Sequence, residues 1–450
     1  MPDVTRTRLP DSLTLLLVCV LVAAALSYAI PAGQYERRLD PATGRKVVVA
    51  GSYHPVPPTP VGPFQAFVAV PKGMIDAASV IFLVFLVGGA FSVVDATGAF
   101  RHGSEWLVTR LGHRRALVVP IACTLFALAG AAEGMWEEIV ALTPVLVLLA
   151  GRVGFDALTA VAMSLGAAGI GAAFSPFNPF SVGIAQKFAE LPMLSGGVFR
   201  TAVWIPAVGI WTWGTMRHAA KTQSAPAASD GVVAGTLHTR HAAALVAVVL
   251  AFAIYIAGTL RYDWGFDEMS AIFLLMGIGA GLAGGLGVAG TAGAFAGGFR
   301  AMAYSGVLIG LSRAIFVVLD QGKIVDTIIH AMVTPLARLP AGIFAVGMTV
   351  VQTAISVPVP SSSGRAVLTM PILVPLSDLL GVSRQVTVLA YQYGPGALGQ
   401  VLPTDGALMA ILVLAGVRYE RWLRFSAPLC AAVFLLGAVA IGVAVAIGLK

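Results

Sequence analysis

Two interruptions of otherwise apolar runs constrain this chain more than anything else in it. Ser175-Pro176-Phe177-Asn178-Pro179 stands inside one run, and Gln400-Val401-Leu402-Pro403-Thr404-Asp405-Gly406 inside another. Each proline removes a backbone donor and clashes with the preceding turn, so neither helix can continue unbroken. The surroundings are as apolar as a membrane core. Of the 450 residues, 58% are hydrophobic and 11% charged, against about 25% charged in soluble domains. In hydrocarbon, broken backbone persists only where protein buries it or a wet cavity meets it. The two breaks are therefore expected to line a substrate site.

The breaks also belong to a duplication. Pro403 follows Pro176 by 227 residues, and the same offset lays Pro371 on Pro144, Gly381 on Gly154 and Asp405 on Asn178. Ala66–Met74 echoes Ala294–Met302 at an offset of 228, and Val93–Asp95 echoes Val318–Asp320 at 225. Four matches in order at a nearly constant offset define one unit over 62–215 and its copy over 290–450.

Arg6 and Arg8 precede an apolar run from Leu13 to Ile30, read as a first transmembrane helix because many further spans follow; with the external loop it makes up 1–61. Within the first unit an interfacial helix over 63–77 precedes a crossing at 79–97 and a loop from Arg101 to Arg115. The runs 116–132 and 139–151 are each short of the roughly 20 residues a span needs. They flank Ala132-Glu133-Gly134-Met135-Trp136-Glu137-Glu138 and so predict a re-entrant hairpin over 116–151, with a broken helix at 156–188 and a span at 199–215. A polar linker over 216–241 separates the units, and connecting spans occupy 242–289. Beyond a span at 304–320, the second unit repeats the hairpin at 340–380 and the broken helix at 385–416, and a span over 425–449 closes the chain. The expected fold class is thus an all-α polytopic membrane protein with nine crossings, two re-entrant helical hairpins and two broken transmembrane helices. Counting forward, the units enter the membrane from opposite sides. Inverted repeats meeting at broken helices near the midplane are a transporter pattern.

Composition leaves little room for other classes. The net charge of +7 comes from basic residues scattered at span ends, as membrane flanks require, so no nucleic-acid partner is expected. Cys19, Cys123 and Cys430 sit in apolar runs without metal spacing, and neither metal nor cofactor is expected. His-Glu-x-x-His, Gly-x-Ser-x-Gly and Gly-x-x-x-x-Gly-Lys patterns are absent from the sequence, which argues against hydrolase and ATP-driven pump chemistry. A channel remains the alternative class, although half-broken hairpins argue against a continuous pore.

Ser175, Asn178, Thr404 and Asp405 fall at the helix breaks, where free amides suit a carboxylate and free carbonyls a cation or ammonium group; capping of the half-helices is the other reading. Glu137 and Glu138 are expected at the first hairpin tip, binding an ammonium group, carrying a proton, or capping the following helix. Glu133 just before the turn is a weaker candidate. Ser361, Ser362 and Ser363 precede a helix expected over 366–380 and suit an anionic group. Arg365 either forks onto a substrate carboxylate or neutralises Asp405. Asp95, Asp320 and Arg313 lie near span ends or in mid-span, and the two aspartates are expected to pair or snorkel. The seven histidines lie mostly in loops and flanks, against a buried histidine relay. The two breaks are expected to face each other near the middle of the membrane, approached by both hairpin tips.

With these residues in place, the chain resembles the YfcC-type carriers, a group that includes ArcD-like basic amino acid antiporters and is related to the anaerobic C4-dicarboxylate carriers of the ion transporter superfamily. The likeness runs from Leu13 to about Phe425. Its most specific parts are Gly134-Met135-Trp136-Glu137-Glu138, Ser175 to Phe180, Pro360-Ser361-Ser362-Ser363-Gly364, Leu368-Thr369-Met370-Pro371-Ile372, Pro403-Thr404 and Gly406-Ala407-Leu408-Met409. The resemblance implies a scaffold region, a mobile transport region with two hairpins, elevator-like alternating access, a homodimer and a bacterial inner-membrane location. The family usually has an acid within the sequence that here reads Gly394-Pro395-Gly396, and commonly has Gln, Asn and Ser where this chain has Arg365, Gly399 and Asp405. Its sodium-coupled relatives carry Ser-Asn-Thr at both hairpin tips, and neither tip here does.

Acids at the first tip and an anion-friendly second tip suit an amino acid, basic above all, with its ammonium at Glu137 and Glu138 and its carboxylate at Ser361–Ser363. A C4-dicarboxylate or other short carboxylate is the runner-up substrate. Coupling by proton or by exchange is expected rather than by sodium.

Overall fold

The computed structural model describes residues 11–40, 45–100, 102, 117–192, 194–224, 239–262 and 264–449. The loop expected from Arg101 to Arg115, apart from His102, and residues 225–238 of the linker lie outside the described residues. Helix α1 (Ser12–Ala29) is capped by Asp11, whose carboxylate accepts from the Leu13 and Thr14 amides at 3.1 Å each. Helices α2 (Pro63–Asp76) and α3 (Ala78–Ala96) follow, separated only by Ala77.

The external loop is more structured than a loop expectation allows. β1 (Gly33–Gln34) pairs with β4 (His54–Pro55), and β2 (Arg37–Asp40) with β3 (Arg45–Val48), both antiparallel. This flap is seated on a short helix, α12 (Val325–Val333). Arg37 pairs with Asp326 at 2.9 Å, and the Tyr53 ring stacks on His330 with centroids 4.0 Å apart.

The first hairpin consists of α4 (Val118–Glu133) and α5 (Glu137–Val153), joined through Gly134 at φ 94° and Met135 at φ 34°. Helix α6 (Ala157–Ala173) contains a π-helical turn at Ala162–Gly166 and stops before the first break. The chain resumes through a π-helical turn, Pro179–Gly183, into α7 (Ile184–Phe188). Helix α8 (Gly197–Thr222) runs on into the stretch expected as linker, because no helix breaker follows Thr215 before that point. Helices α9 (Thr239–Tyr262) and α10 (Phe266–Ala283) connect the units.

The second unit differs from its expectation at its start. In place of a span confined to 304–320, one 35-residue helix, α11 (Gly287–Gln321), runs unbroken. Residues 287–303 are mostly small or apolar, with Thr291 and Arg300 but no proline, so no helix breaker interrupts them. The second hairpin is α13 (Ala341–Ile355) and α14 (Ser362–Leu379), the second broken helix α15 (Arg384–Gly399) and α16 (Gly406–Leu414), and α17 (Tyr419–Ala446) closes the chain.

Five described helices, α1, α3, α10, α11 and α17, are long and apolar enough to cross a membrane. Four other expected crossings map to broken helices or to the more polar α8 and α9. Helix α11 is the rod against which α1, α2, α3, α10 and α16 pack. A second body gathers around α6 and α15, with α4 on α6, α13 and α17 on α15, and α6 on α15.

The α4–α6 crossing depends on small residues that let backbones touch, the usual solution where lipid gives helices no hydrophobic reason to associate. A β-carbon at Gly171 would meet the Ala127 carbonyl, and one at Gly130 the backbone of Ala168. Gly171→Val is therefore expected to destabilise the protein by about 1–3 kcal/mol or more, read as a lowered melting temperature. An unchanged melting temperature would mean that α4 and α6 are not held this closely.

Candidate functional site

At the first break the chain leaves α6 at Phe174, and its freed amides need partners. Ser175 supplies them: its hydroxyl accepts from the amides of Phe177 at 3.1 Å and Asn178 at 2.9 Å, while donating to the Ala131 carbonyl of α4 at 2.7 Å. Asn178 restarts the helix by accepting from the Ser181 amide at 3.0 Å, and it donates to the Gly130 carbonyl of α4 at 3.1 Å. Both side chains are buried. The capping reading is thus fulfilled, and the caps also fasten the break to the first hairpin.

The second break is held differently. Asp405 caps α16, accepting from the Leu408 amide at 2.9 Å. Ser312 of α11 donates to the Thr404 carbonyl and accepts from the Gly406 amide at 3.1 Å. The Trp422 indole of α17 donates to the Gln400 carbonyl at 2.7 Å, and the Tyr419 hydroxyl to the Val401 carbonyl at 2.5 Å. The Thr404 hydroxyl is buried without a hydrogen-bond partner among the described residues.

No direct hydrogen bond joins the two breaks among the described residues; two glutamines link the two broken helices instead. Gln392 of α15 donates to the Ser175 carbonyl at 2.8 Å. Gln400 donates to the carbonyls of Leu165 at 3.3 Å and Gly166 at 3.5 Å. Those carbonyls lie at the π-helical turn of α6, where the ordinary ladder is disturbed. The turn's first carbonyl, at Ala162, takes the Trp211 indole N–H at 2.8 Å. Gly169 lets the Gln400 amide reach in, since a β-carbon there would overlap it.

The hairpin tips approach this region from two sides. At the first tip, Gly134 lies beside Asn178, and the Trp136 indole lies over Gly169 of α6 and Gly399 of α15. Glu137 and Glu138 open α5 itself, rather than preceding a helix at 139. Glu138 is buried at 5% exposure. The side chains of Glu137 and Glu133 lie outside the described residues.

At the second tip the three serines have three environments. Ser361 is exposed and caps α14, accepting from the Gly364 amide at 3.2 Å. The Ser362 carbonyl accepts from the Tyr391 hydroxyl at 2.5 Å, and Ser363 lies 3.4 Å from Ser361, oxygen to oxygen. The helix begins at Ser362, earlier than the expected 366, because Ser361 is a competent cap. This puts Arg365 in the first helical turns, buried at 4% exposure, its guanidinium carbon 5.3 Å from the Tyr391 ring centroid. It donates to the Val359 carbonyl at 3.4 Å, and its Nε has no hydrogen-bond partner among the described residues. Arg365 and Asp405 form no ion pair among the described residues, unlike Arg313, which pairs with Asp76 of α2.

Sequence reading passed over Arg200, Ser312, Gln392, Gln400 and Tyr391. Only their polarity within apolar runs could have drawn attention to them. Their partners lie far along the chain, as with Gln400 and Leu165, and nothing local indicates that.

Membrane-length apolar helices packed around polar-lined backbone breaks define a multi-pass membrane protein of the transporter type. The model of the C4-dicarboxylate anaerobic carriers matches residues 9–446, and the chain belongs to that family. It is 30% identical to YfcC of Escherichia coli K12, whose name proposes a basic amino acid antiporter, over 97% of this chain and 96% of that one. It is 28% identical to a Haemophilus influenzae Rd protein over 97% of each. Among solved structures, it is similar to the Alcanivorax borkumensis YdaH transporter with a TM-score of 0.45 and 16% identity, covering 98% of this chain and 99% of that one. It is similar to Neisseria gonorrhoeae MtrF, of a class of antimetabolite efflux pumps, with a TM-score of 0.44 and 17% identity, covering 98% and 96%. These two likenesses are too distant to carry an argument about this site.

Gln400→Leu keeps volume but leaves the Leu165 and Gly166 carbonyls without their donor. Orphaned buried acceptors cost about 1–3 kcal/mol, so a matching loss of stability is expected in thermal or chemical unfolding. A Gln400→Leu protein as stable as the wild type would show that the bridge between the broken helices is not needed.

Proposed function

We propose that this chain is a secondary active carrier for a small amino acid, basic by preference, working through exchange or proton coupling with alternating access. The observation that carries the reading is Arg365, a buried guanidinium with no carboxylate partner among the described residues. A buried cation left without an anion is costly, and a substrate carboxylate would fork onto it. The exposed turn at Ser361 and the N-terminus of α14 add to that preference. Glu138, buried at the first tip two residues after Trp136, would receive the ammonium or the cationic side chain.

Reciprocal packing supports the inverted-repeat reading. Helix α5 of the first hairpin lies on α16, the second half of the other unit's broken helix, and α14 of the second hairpin lies on α7, its counterpart. On this view the hairpins and broken helices move together against α1–α3 and α9–α11, in an elevator-like step. The resemblance to the family adds a homodimer to the proposal.

A short carboxylate is the second reading, and the description of the family favours it. A dicarboxylate would want a second cation facing Arg365. The other buried guanidinium, Arg200, donates to Gln385 in the first turn of α15, whereas Arg365 lies over Tyr391. Positions six apart on a helix are about 9 Å apart along the axis and point about 120° apart, so these cations meet different faces of α15.

Arg365→Gln is expected to weaken binding of L-arginine and of succinate alike by about ten- to a hundredfold, the range for losing a charge-assisted hydrogen bond. Glu138→Gln and Glu137→Gln separate the two readings: loss of L-arginine affinity with an intact melting temperature supports an amino acid. Unchanged affinity in both would sink it.

Uptake of L-arginine into proteoliposomes is expected to be saturable, to be accelerated by L-arginine on the opposite side, and to persist without a sodium gradient. Loss of uptake without sodium would overturn the coupling proposal, and flux without trans-acceleration or saturation would favour a channel.

A further inference from the structure

Helix α2 runs antiparallel to α11, starting at the end of α11 that meets the flap. Thr59, shortly before α2, donates to the Gln321 carbonyl at 2.8 Å. Deeper along the pair, a β-carbon at Gly73 would strike the backbone of Gly310 and Ala314. Beside that contact an open groove of about 470 Å³ lies between the two helices. Lys72, Ile75 and Asp76 of α2 line it, with Arg313, Phe316 and Asp320 of α11. Around it α2 leaves Phe64, Phe67 and Ile75 exposed, as on a surface that faces acyl chains.

The groove holds four charges, two of each sign. Arg313 is matched: its Nε donates to Asp76, and its guanidinium carbon lies 4.9 Å from the Phe316 ring centroid. At the flap end, Arg37 and Asp326 hold each other at 2.9 Å. Lys72 and Asp320 are left over. Both are exposed, and neither forms an ion pair among the described residues. A lone ammonium and a lone carboxylate on a bilayer-facing surface are expensive unless polar groups meet them.

We propose that this groove binds the headgroup of a phospholipid bearing a primary amine, phosphatidylethanolamine above all, with the lipid phosphate on Lys72 and the ammonium on Asp320. The order of the two residues is that of the lipid. Asp320 lies six residues beyond Ala314, about 9 Å nearer the flap, whereas Lys72 adjoins Gly73 at the Ala314 level. In a leaflet the ammonium is outermost, the phosphate beneath it and the acyl chains deepest. Ile75 and Phe82, 76% and 61% exposed, continue the apolar surface inward for those chains.

A groove of zero net charge selects a zwitterion over an anionic lipid, and a choline headgroup has no N–H for Asp320. A second copy of the chain fits less well. A two-fold contact puts the same patch on both partners, and two facing hollows enclose a void. The groove shares a turn of α11 with Ser312, which fastens the second break. A bound lipid therefore steadies the rod at that level, independently of what Arg365 carries.

The test melts the full-length protein, purified and delipidated in detergent, with rising fractions of dioleoyl phosphatidylethanolamine, phosphatidylcholine or phosphatidylglycerol in the micelles. The wild type is expected to gain melting temperature saturably, at the lowest fraction with phosphatidylethanolamine. Asp320→Asn should raise the half-saturating fraction of that lipid about tenfold without weakening phosphatidylglycerol. Lys72→Gln should weaken both. Should either variant fail to fold, the three wild-type titrations still decide. Equal gains from all three lipids in the wild type, or unchanged half-saturation in both variants, would overturn the site. So would a dimer that Lys72→Asp or Asp320→Lys dissociates and the double exchange restores, because that result assigns the groove to a second copy.

Discussion

Backbone amides and carbonyls released by a broken helix must find partners within the protein, because hydrocarbon offers none. That requirement organises the centre of this molecule. At the first break Ser175 and Asn178 satisfy the freed amides and turn outward to the Gly130 and Ala131 carbonyls of α4. At the second, Asp405 caps α16 while Ser312, Tyr419 and Trp422 reach in from α11 and α17. The π-helical turn of α6 creates further needs, met by Trp211 and Gln400. Each break is closed by a neighbour, so the neighbours cannot be placed arbitrarily.

The two breaks are consequently unequal mechanical elements. The first is fastened to its own hairpin, through caps that continue into α4. The second is fastened to α11, the central rod, through one hydroxyl that both donates and accepts. Any relative motion of the two bodies has to exchange the bonds at Ser312, whereas the bonds at Ser175 move with their partners. The close approach of α4 and α6 at Gly130 and Gly171 reinforces that difference, since touching backbones transmit displacement without slack.

Charge is distributed with similar economy. Arg313 and Arg384 have carboxylate partners, while Arg365 and Arg200 are buried against neutral groups. Low dielectric makes an unmatched charge costly and a matching ligand correspondingly valuable. Arg365 lies in the first turns of a hairpin arm, and Arg200 donates to the Ser195 carbonyl and the Gln385 side chain.

What the sequence determined by itself follows from local backbone rules. Pro176, Pro179 and Pro403 compel breaks wherever they fall in an apolar run, so the broken helices at 156–188 and 385–416 were legible, as were the short arms of the two helical hairpins. Ser175, Asn178 and Asp405 were legible as caps because capping acts across two or three residues. The start of α14 was misjudged for a related reason: Ser361 as cap draws Arg365 into the helix, and three serines in a row do not reveal which one caps. Tertiary structure alone decided the rest. Whether α11 would stop near 303 depended on its packing along α3. Whether Arg200 would sit at a wet flank or wholly buried depended on Gln385, distant in the chain. Ser312, Gln392 and Gln400 carry no local signal, because their partners lie between 92 and 235 residues away. Steric rules act over a few bonds and can be read from adjacent residues; the satisfaction of a freed carbonyl depends on whichever side chain the fold brings beside it.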